Sequence, residues 1–141
     1  MTPEMLAKLR RSLILHEGYK KIPYIDTVGK ITIGIGYNLT DRGLTDDWID
    51  EQYKEDVNYF YQQLLNFPWF QQLCIDRQIV LIDMCFMGWK RFLEFKDMLT
   101  ALEFADYQEA SFQMMNSEWA GQVGDRARTL SKAMRTGIYN V

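Results

Sequence analysis

Residues 16–37 read HEGYKKIPYIDTVGKITIGIGY, and within this stretch the sequence changes its period. Upstream of it, Leu6, Leu9 and Leu13 repeat at spacings of three and four, which predicts a helix with a buried stripe. Thr2 suits the N-cap of that helix, Pro3 its first position and Glu4 its positive end. Four residues beyond Leu13 the stripe reaches Glu17, so a carboxylate is expected on the inner face, and Gly18 then offers a left-handed stop. From Ile31 the period becomes two. Ile31, Ile33 and Ile35 alternate with Thr32, Gly34 and Gly36, which predicts a strand with one apolar face and one nearly bare face. A bare face lets a ligand approach the backbone closely, and Thr32 is its one functional group. Asp26-Thr27-Val28-Gly29-Lys30 is the turn before this strand.

Working outward, Thr45-Asp46-Asp47 opens a long helix whose apolar face is Ile49, Tyr53, Val57, Phe60 and Leu64, stopped before Pro68. Asp76 is the expected cap of the next helix. Ile79 to Met87 is apolar except at Asp83, which predicts a central, surrounded helix ending at Gly88. Shorter helices follow at about 92–102, at 106–115 with Asp106 and Glu109 at capping-box spacing, and from Asp125 to Arg135 before Gly137. The fold class is therefore α+β, mostly α, in a single domain over 1–141. It comprises a small β-containing lobe at about 18–44, a connecting helix at about 45–66, and a helical lobe from about 67 joined by the N-terminal helix 3–17.

Composition narrows the function. A net charge of −3 argues against a general grip on nucleic acid, although Arg126, Arg128, Lys132 and Arg135 concentrate positive charge near the C-terminus. One histidine and two cysteines, Cys74 and Cys85, predict neither a metal site nor a disulfide framework, and no cofactor is expected. No stretch reaches the roughly 20 apolar residues of a membrane span. Met1-Thr2-Pro3-Glu4 lacks a basic, then apolar, leader, so no signal peptide is expected.

Two carboxyl groups flanking one bond are the usual requirement for glycoside hydrolysis, and one must be a protonated acid, which favours a sheltered position. Glu17 suits the sheltered role, Asp26 sits in a polar turn, and Thr32 could hold a water. Their spacing carries more. Glu17, Asp26 and Thr32, followed by Ile33-Gly34-Ile35-Gly36-Tyr37, resemble the catalytic segment of the T-even phage lysozyme family, glycoside hydrolase family 24. The resemblance continues through Leu44-Thr45-Asp46 to Asp56-Val57, Ile82-Asp83-Met84-Cys85-Phe86-Met87-Gly88, Ser117-Glu118-Trp119, Asp125-Arg126-Ala127-Arg128 and Arg135-Thr136-Gly137.

The resemblance implies a lysozyme-like two-lobe fold with a long inter-lobe helix, and a bacteriolytic muramidase acting on peptidoglycan as a monomer. By it, Glu17 is the general acid, Asp26 positions or activates the attacking water, and Thr32 helps hold that water. Arg126 matches an arginine that reaches the catalytic glutamate, and Gly34 and Gly36 border the substrate. It also implies synthesis in a host cytoplasm and action in the periplasm after release through a holin. Three positions depart from the family pattern. Tyr37 stands where a histidine is frequent, Phe86-Met87-Gly88 lacks the sugar-touching glutamine, and only seven residues separate Tyr37 from Thr45, which implies a smaller N-terminal lobe. His16, Trp119 and the methionines Met84, Met87, Met114 and Met115 read as structural. Two rivals remain on the residues: a lytic transglycosylase, against which Asp26 and Thr32 argue, and a non-catalytic wall-binding module.

Overall fold

A computed structural model describes all 141 residues. It is 65% helical with one three-stranded antiparallel sheet near the N-terminus, an α+β fold that is mostly α, as the sequence predicts. The chain forms two compact units, Met1–Gln52 and Tyr53–Val141, with the boundary falling inside one helix.

In the first unit, helix α1 (Pro3–Glu17) starts at Thr2, whose hydroxyl accepts from the Met5 N–H at 3.2 Å, and stops at Gly18 with φ 82°. Leu6, Leu9 and Leu13 line one side as their spacing requires, yet they remain 40–55% exposed and no α1 residue is buried. The expected buried stripe is therefore an exposed one. Strands β1 (Lys20–Ile25), β2 (Ile31–Gly34) and β3 (Tyr37–Asn38) follow in sheet order β1-β2-β3. Tyr24 pairs with Thr32, and Thr32 with Asn38. The β1–β2 register slips between Lys20 and Tyr24. Pro23 lies in that interval and has no N–H to give the ladder.

The expected strand through Ile35 and Gly36 ends at Gly34 instead, because Gly34 and Gly36 both take positive φ and turn the chain into β3. Burial along β2 also runs against the simple alternation. Ile31 is 46% exposed while Thr32 is 4% exposed, the only buried residue among 1–52. A one-turn helix α2 (Leu39–Arg42) occupies the short connection before Thr45. Asn38 caps it, accepting from the Asp41 N–H at 3.0 Å.

Helix α3 (Asp46–Leu64) opens at Thr45, whose hydroxyl accepts from the Trp48 N–H. In the second unit the core includes Leu64, Phe70, Val80, Leu81, Met84, Cys85, Phe92, Met98, Met114, Leu130 and Met134, all at most 1% exposed. Helix α4 (Ile75–Cys85) supplies four of its members, Val80, Leu81, Met84 and Cys85. It is not surrounded, since Ile75 and Ile79 are 74% and 42% exposed. Asp76 does not cap it. Its carboxylate accepts the Tyr139 N–H at 2.8 Å and ties the C-terminal tail to the start of α4.

The remaining helices are α5 (Trp89–Phe92), α6 (Lys96–Glu103), α7 (Tyr107–Met115), α8 (Glu118–Val123) and α9 (Asp125–Thr136). Asp106 caps α7, and Gly137 ends α9 in the left-handed region. Trp119 is buried at 3% exposure, as its structural reading predicts. Both cysteines are free. No helix is long and apolar enough to cross a membrane.

Candidate active site

Asp26 closes the turn between β1 and β2. Its Oδ1 accepts backbone N–H groups from Val28 at 3.0 Å and Lys30 at 2.8 Å, an Asx-type turn made by the side chain itself. The main chain completes the turn: Asp26 N–H donates to Lys30 O at 2.9 Å, and Gly29 N–H to Asp26 O at 3.1 Å. With Oδ1 committed to two backbone donors, Oδ2 is the oxygen left for other partners. The Thr32 hydroxyl lies 3.4 Å from Oδ2 and 3.4 Å from the Lys30 carbonyl, either of which can accept its proton. Both distances are long for an O–H···O bond, so the hydroxyl is free to rotate between partners.

Thr32 was expected on an open face. It is covered instead, with its hydroxyl turned toward the Asp26 turn.

Glu17 is the last residue of α1, and its side chain lies against Gly36. An added Cβ at Gly36 would stand 2.9 Å from Glu17 Oε2. Gly36 and Thr32 are four residues apart, so the chain between them spans at most about 14 Å. The strand-and-turn 32–36 thus carries the Asp26–Thr32 pair at one end and backs Glu17 at the other. Glu17 itself is exposed, so the shelter expected from an inner-face position does not arise from its own helix. The two glycines differ: at Gly36 the missing Cβ makes room for Glu17, whereas Gly34 has open space there.

Arg126, in the first turn of α9, is held by Asp83 of α4. Its Nε and Nη2 donate to Asp83 Oδ1 at 2.9 and 2.6 Å, and Nη2 also donates to the Asp83 carbonyl at 2.9 Å. The pair borders an apolar hollow of about 470 Å³ with Val57, Ile82 and Phe86 in its wall. Asp83 is the one polar residue in an otherwise apolar stretch, which is the sequence signal for a partner of this kind.

Reasoning from the sequence missed the strap beside the Asp26 turn. Lys30 Nζ pairs with Asp41 Oδ1 at 2.9 Å, Asn38 Nδ2 donates to Asp41 Oδ2 at 2.9 Å, and the Ile31 N–H donates to the Thr40 hydroxyl at 2.8 Å. The hydrogen bond and charge of Lys30 hold Asp41 below the ordinary carboxylate range, and Asp41 raises Lys30 in return. The visible clue was Asn38 three residues before Asp41, an N-cap spacing.

No protein-family profile matches the chain. It is similar to the curated protein "Probable T4-type lysozyme 1" of Dictyostelium discoideum, with 25% identity over 167 aligned positions covering 96% of this chain and 98% of that protein.

Proposed function

We propose that the chain is a lysozyme of the phage type, hydrolysing the β-1,4 bond between N-acetylmuramic acid and N-acetylglucosamine in peptidoglycan. The similarity to a protein named as a T4-type lysozyme, running over nearly the whole of both chains, supports a lysozyme-like hydrolase. The observation that carries the mechanism is the division of labour at Asp26. One oxygen is fixed by two backbone donors, and the other faces the Thr32 hydroxyl.

A carboxylate oxygen beside a rotatable hydroxyl makes a cradle for one water. Asp26 would orient and deprotonate that water as it attacks the anomeric carbon, and the Thr32 Oγ1 would accept or donate to it as required. Glu17 would protonate the departing glycosidic oxygen. Because Glu17 is exposed at its helix end, the bound glycan itself must supply the dry surroundings that favour the protonated acid. The missing Cβ at Gly36 leaves room for the Glu17 side chain four residues beyond Thr32. Release to the periplasm through a holin would bring the enzyme to its substrate.

The test is Glu17→Gln, which keeps shape but cannot donate the proton. Lysis of permeabilised Gram-negative cells should fall at least about a hundredfold while circular dichroism and melting stay unchanged. Near wild-type lysis by the folded variant would remove Glu17 from the mechanism.

A further inference from the structure

We propose a second saccharide-binding site on the helical unit, in the hollow between the Phe67–Gln72 segment and one face of α6. The hollow measures about 390 Å³, within the range of roughly 300–1,000 Å³ typical of small-molecule sites. Its apolar lining is Phe67, Pro68, Trp69 and Leu99: the Phe67 and Trp69 rings lie 5.0 Å apart at 31°, with Trp69 itself buried in the core and Phe67 and Leu99 half-buried. Its polar lining is Gln72, Thr100 and Glu103. Thr100 and Glu103 are three residues apart on α6 and therefore share a face.

The rim groups have nothing to do within the chain. The side chains of Gln72, Thr100 and Glu103 form no internal hydrogen bond, and all three residues are exposed to solvent. Glu103 is also badly placed for its own helix. It ends α6, where the negative end of the helix dipole disfavours a carboxylate, and it forms no ion pair. A local rule broken at a pocket rim, without a compensating contact, is the pattern of a residue kept for a ligand.

The chemistry of the hollow selects the ligand class. A pyranose has an apolar C–H face and a rim of hydroxyls. The half-buried Phe67 and Leu99 and the exposed Pro68 suit the face. Gln72 and Thr100 can donate and accept, and the Glu103 carboxylate accepts from hydroxyls or from an acetamido N–H. The same carboxylate repels phosphate and other anions. The choice of an N-acetylhexosamine among neutral ligands rests on the reading of the chain as a wall-glycan hydrolase. A second site of this kind would hold the enzyme on the polymer between cuts.

The experiment uses the full chain carrying Glu17→Gln, so that cleavage does not consume the probe. It is titrated with tri-N-acetylchitotriose, and separately with L-lysine amide, while the Trp69 indole and Gln72 side-chain amide signals are followed by heteronuclear NMR. The sugar should shift both signals saturably with millimolar affinity. The Gln72→Ala/Glu103→Ala double variant, whose dispersed spectrum reports its fold, should bind at least tenfold more weakly. Unmoved signals, undiminished binding by the double variant, or a response to lysine amide without one to the sugar would each overturn the site. Lysis by wild type is read separately. Lysis without a response at Trp69 sinks this proposal alone, and a response at Trp69 without lysis sinks the catalytic reading alone.

Discussion

Gly36 leaves empty the space that Glu17 fills. A Cβ there would sit 2.9 Å from Glu17 Oε2 and 3.0 Å from both its Cβ and its Cγ, at a residue whose φ is already +66°. Gly36→Ala therefore meets two penalties, a left-handed backbone costing about 1–2 kcal/mol and a displaced acid. Gly43 has φ +60° but open space around the missing Cβ, so Gly43→Ala isolates the first penalty. Gly36→Ala should lose at least as much stability as Gly43→Ala in urea unfolding. Gly36→Ala alone should also lose about a hundredfold in lysis rate, the usual consequence of moving a catalytic group by an ångström. Equal rates in the two variants would show that Gly36 does not position Glu17.

The Arg126–Asp83 pair yields a second expectation. Its side chains are 45% and 31% exposed, so solvent screens the pair and its worth to stability is about 0.5–1 kcal/mol. A double-mutant cycle of Arg126→Ala and Asp83→Asn in urea should return a coupling of that size. Zero coupling would make the contact incidental. Arg126→Ala should also slow lysis and alter the pH profile, and an unchanged profile would leave the residue with a purely structural task.

Much of this architecture was legible because several signals agreed. Thr2, Pro3 and Gly18 bracket α1, Thr45 opens α3, Asp106 caps α7 and Gly137 ends α9; each is a local preference that the structure realises. Period two from Ile31 announced β2. What misled was the assumption that an apolar stripe is a buried one. Leu6, Leu9 and Leu13 have helix spacing without burial, and in β2 the threonine is covered while Ile31 is exposed. Spacing fixes which side chains share a face, not which face is covered. Side-chain partners at long range, such as Asp83 for Arg126 and Tyr139 N–H for Asp76, leave almost no trace in local pattern. Glu17, Asp26 and Thr32 stand out in the sequence as a candidate triad through their spacing, whereas Gly36 reads there as a residue bordering the substrate, and its place beside Glu17 comes only from the fold.

The two thiols should behave oppositely. Burial pushes the Cys85 thiol up to about 12, so almost none of it is thiolate at neutral pH, whereas Cys74 is exposed. Native protein treated with a thiol-specific disulfide reagent at pH 8 should release one equivalent of chromophore quickly, from Cys74. The second equivalent should appear only on unfolding. Two rapid equivalents would mean that the α4 core opens far more readily than its packing predicts.

The Lys30–Asp41 strap gives a pH window. Asp41 is held below its ordinary 3.8, so its contribution is complete above that value and disappears as pH falls through the lowered one. Lys30 is raised above 10.5, so the same contribution is present below that value and is lost as pH rises past the raised one. Wild type should therefore exceed Asp41→Asn in stability by a small, constant margin between about pH 4 and pH 10, vanishing in stronger acid. The pair is exposed, so 1 M salt should shrink the margin. A margin that persists at pH 2 would mean that the carboxamide disturbs the loop for some reason other than charge.

The last expectation is stereochemical. In a retaining glycosidase the second carboxylate attacks the sugar and stands about 5–5.5 Å from the acid, whereas an inverting enzyme keeps about 6.5–9.5 Å to admit a water. Asp26 is poorly arranged for the first role. Its Oδ1 is committed to two backbone N–H groups, which lower its nucleophilicity and fix its orientation within the turn. Its Oδ2 faces the Thr32 hydroxyl at 3.4 Å, a separation at which a water can join both. A hydroxyl in that place has a use when water is the nucleophile and none beside a covalent sugar ester. Cleavage of a defined muropeptide oligomer, followed by proton NMR from the first seconds, should therefore show the α-anomer before mutarotation sets in. Thr32→Val should slow the reaction by about 10²–10³-fold without changing that anomer, since it removes a partner of the water and leaves its direction of attack. A β-anomer appearing first, or a glycosyl ester trapped on Asp26, would overturn single displacement and make Asp26 the nucleophile.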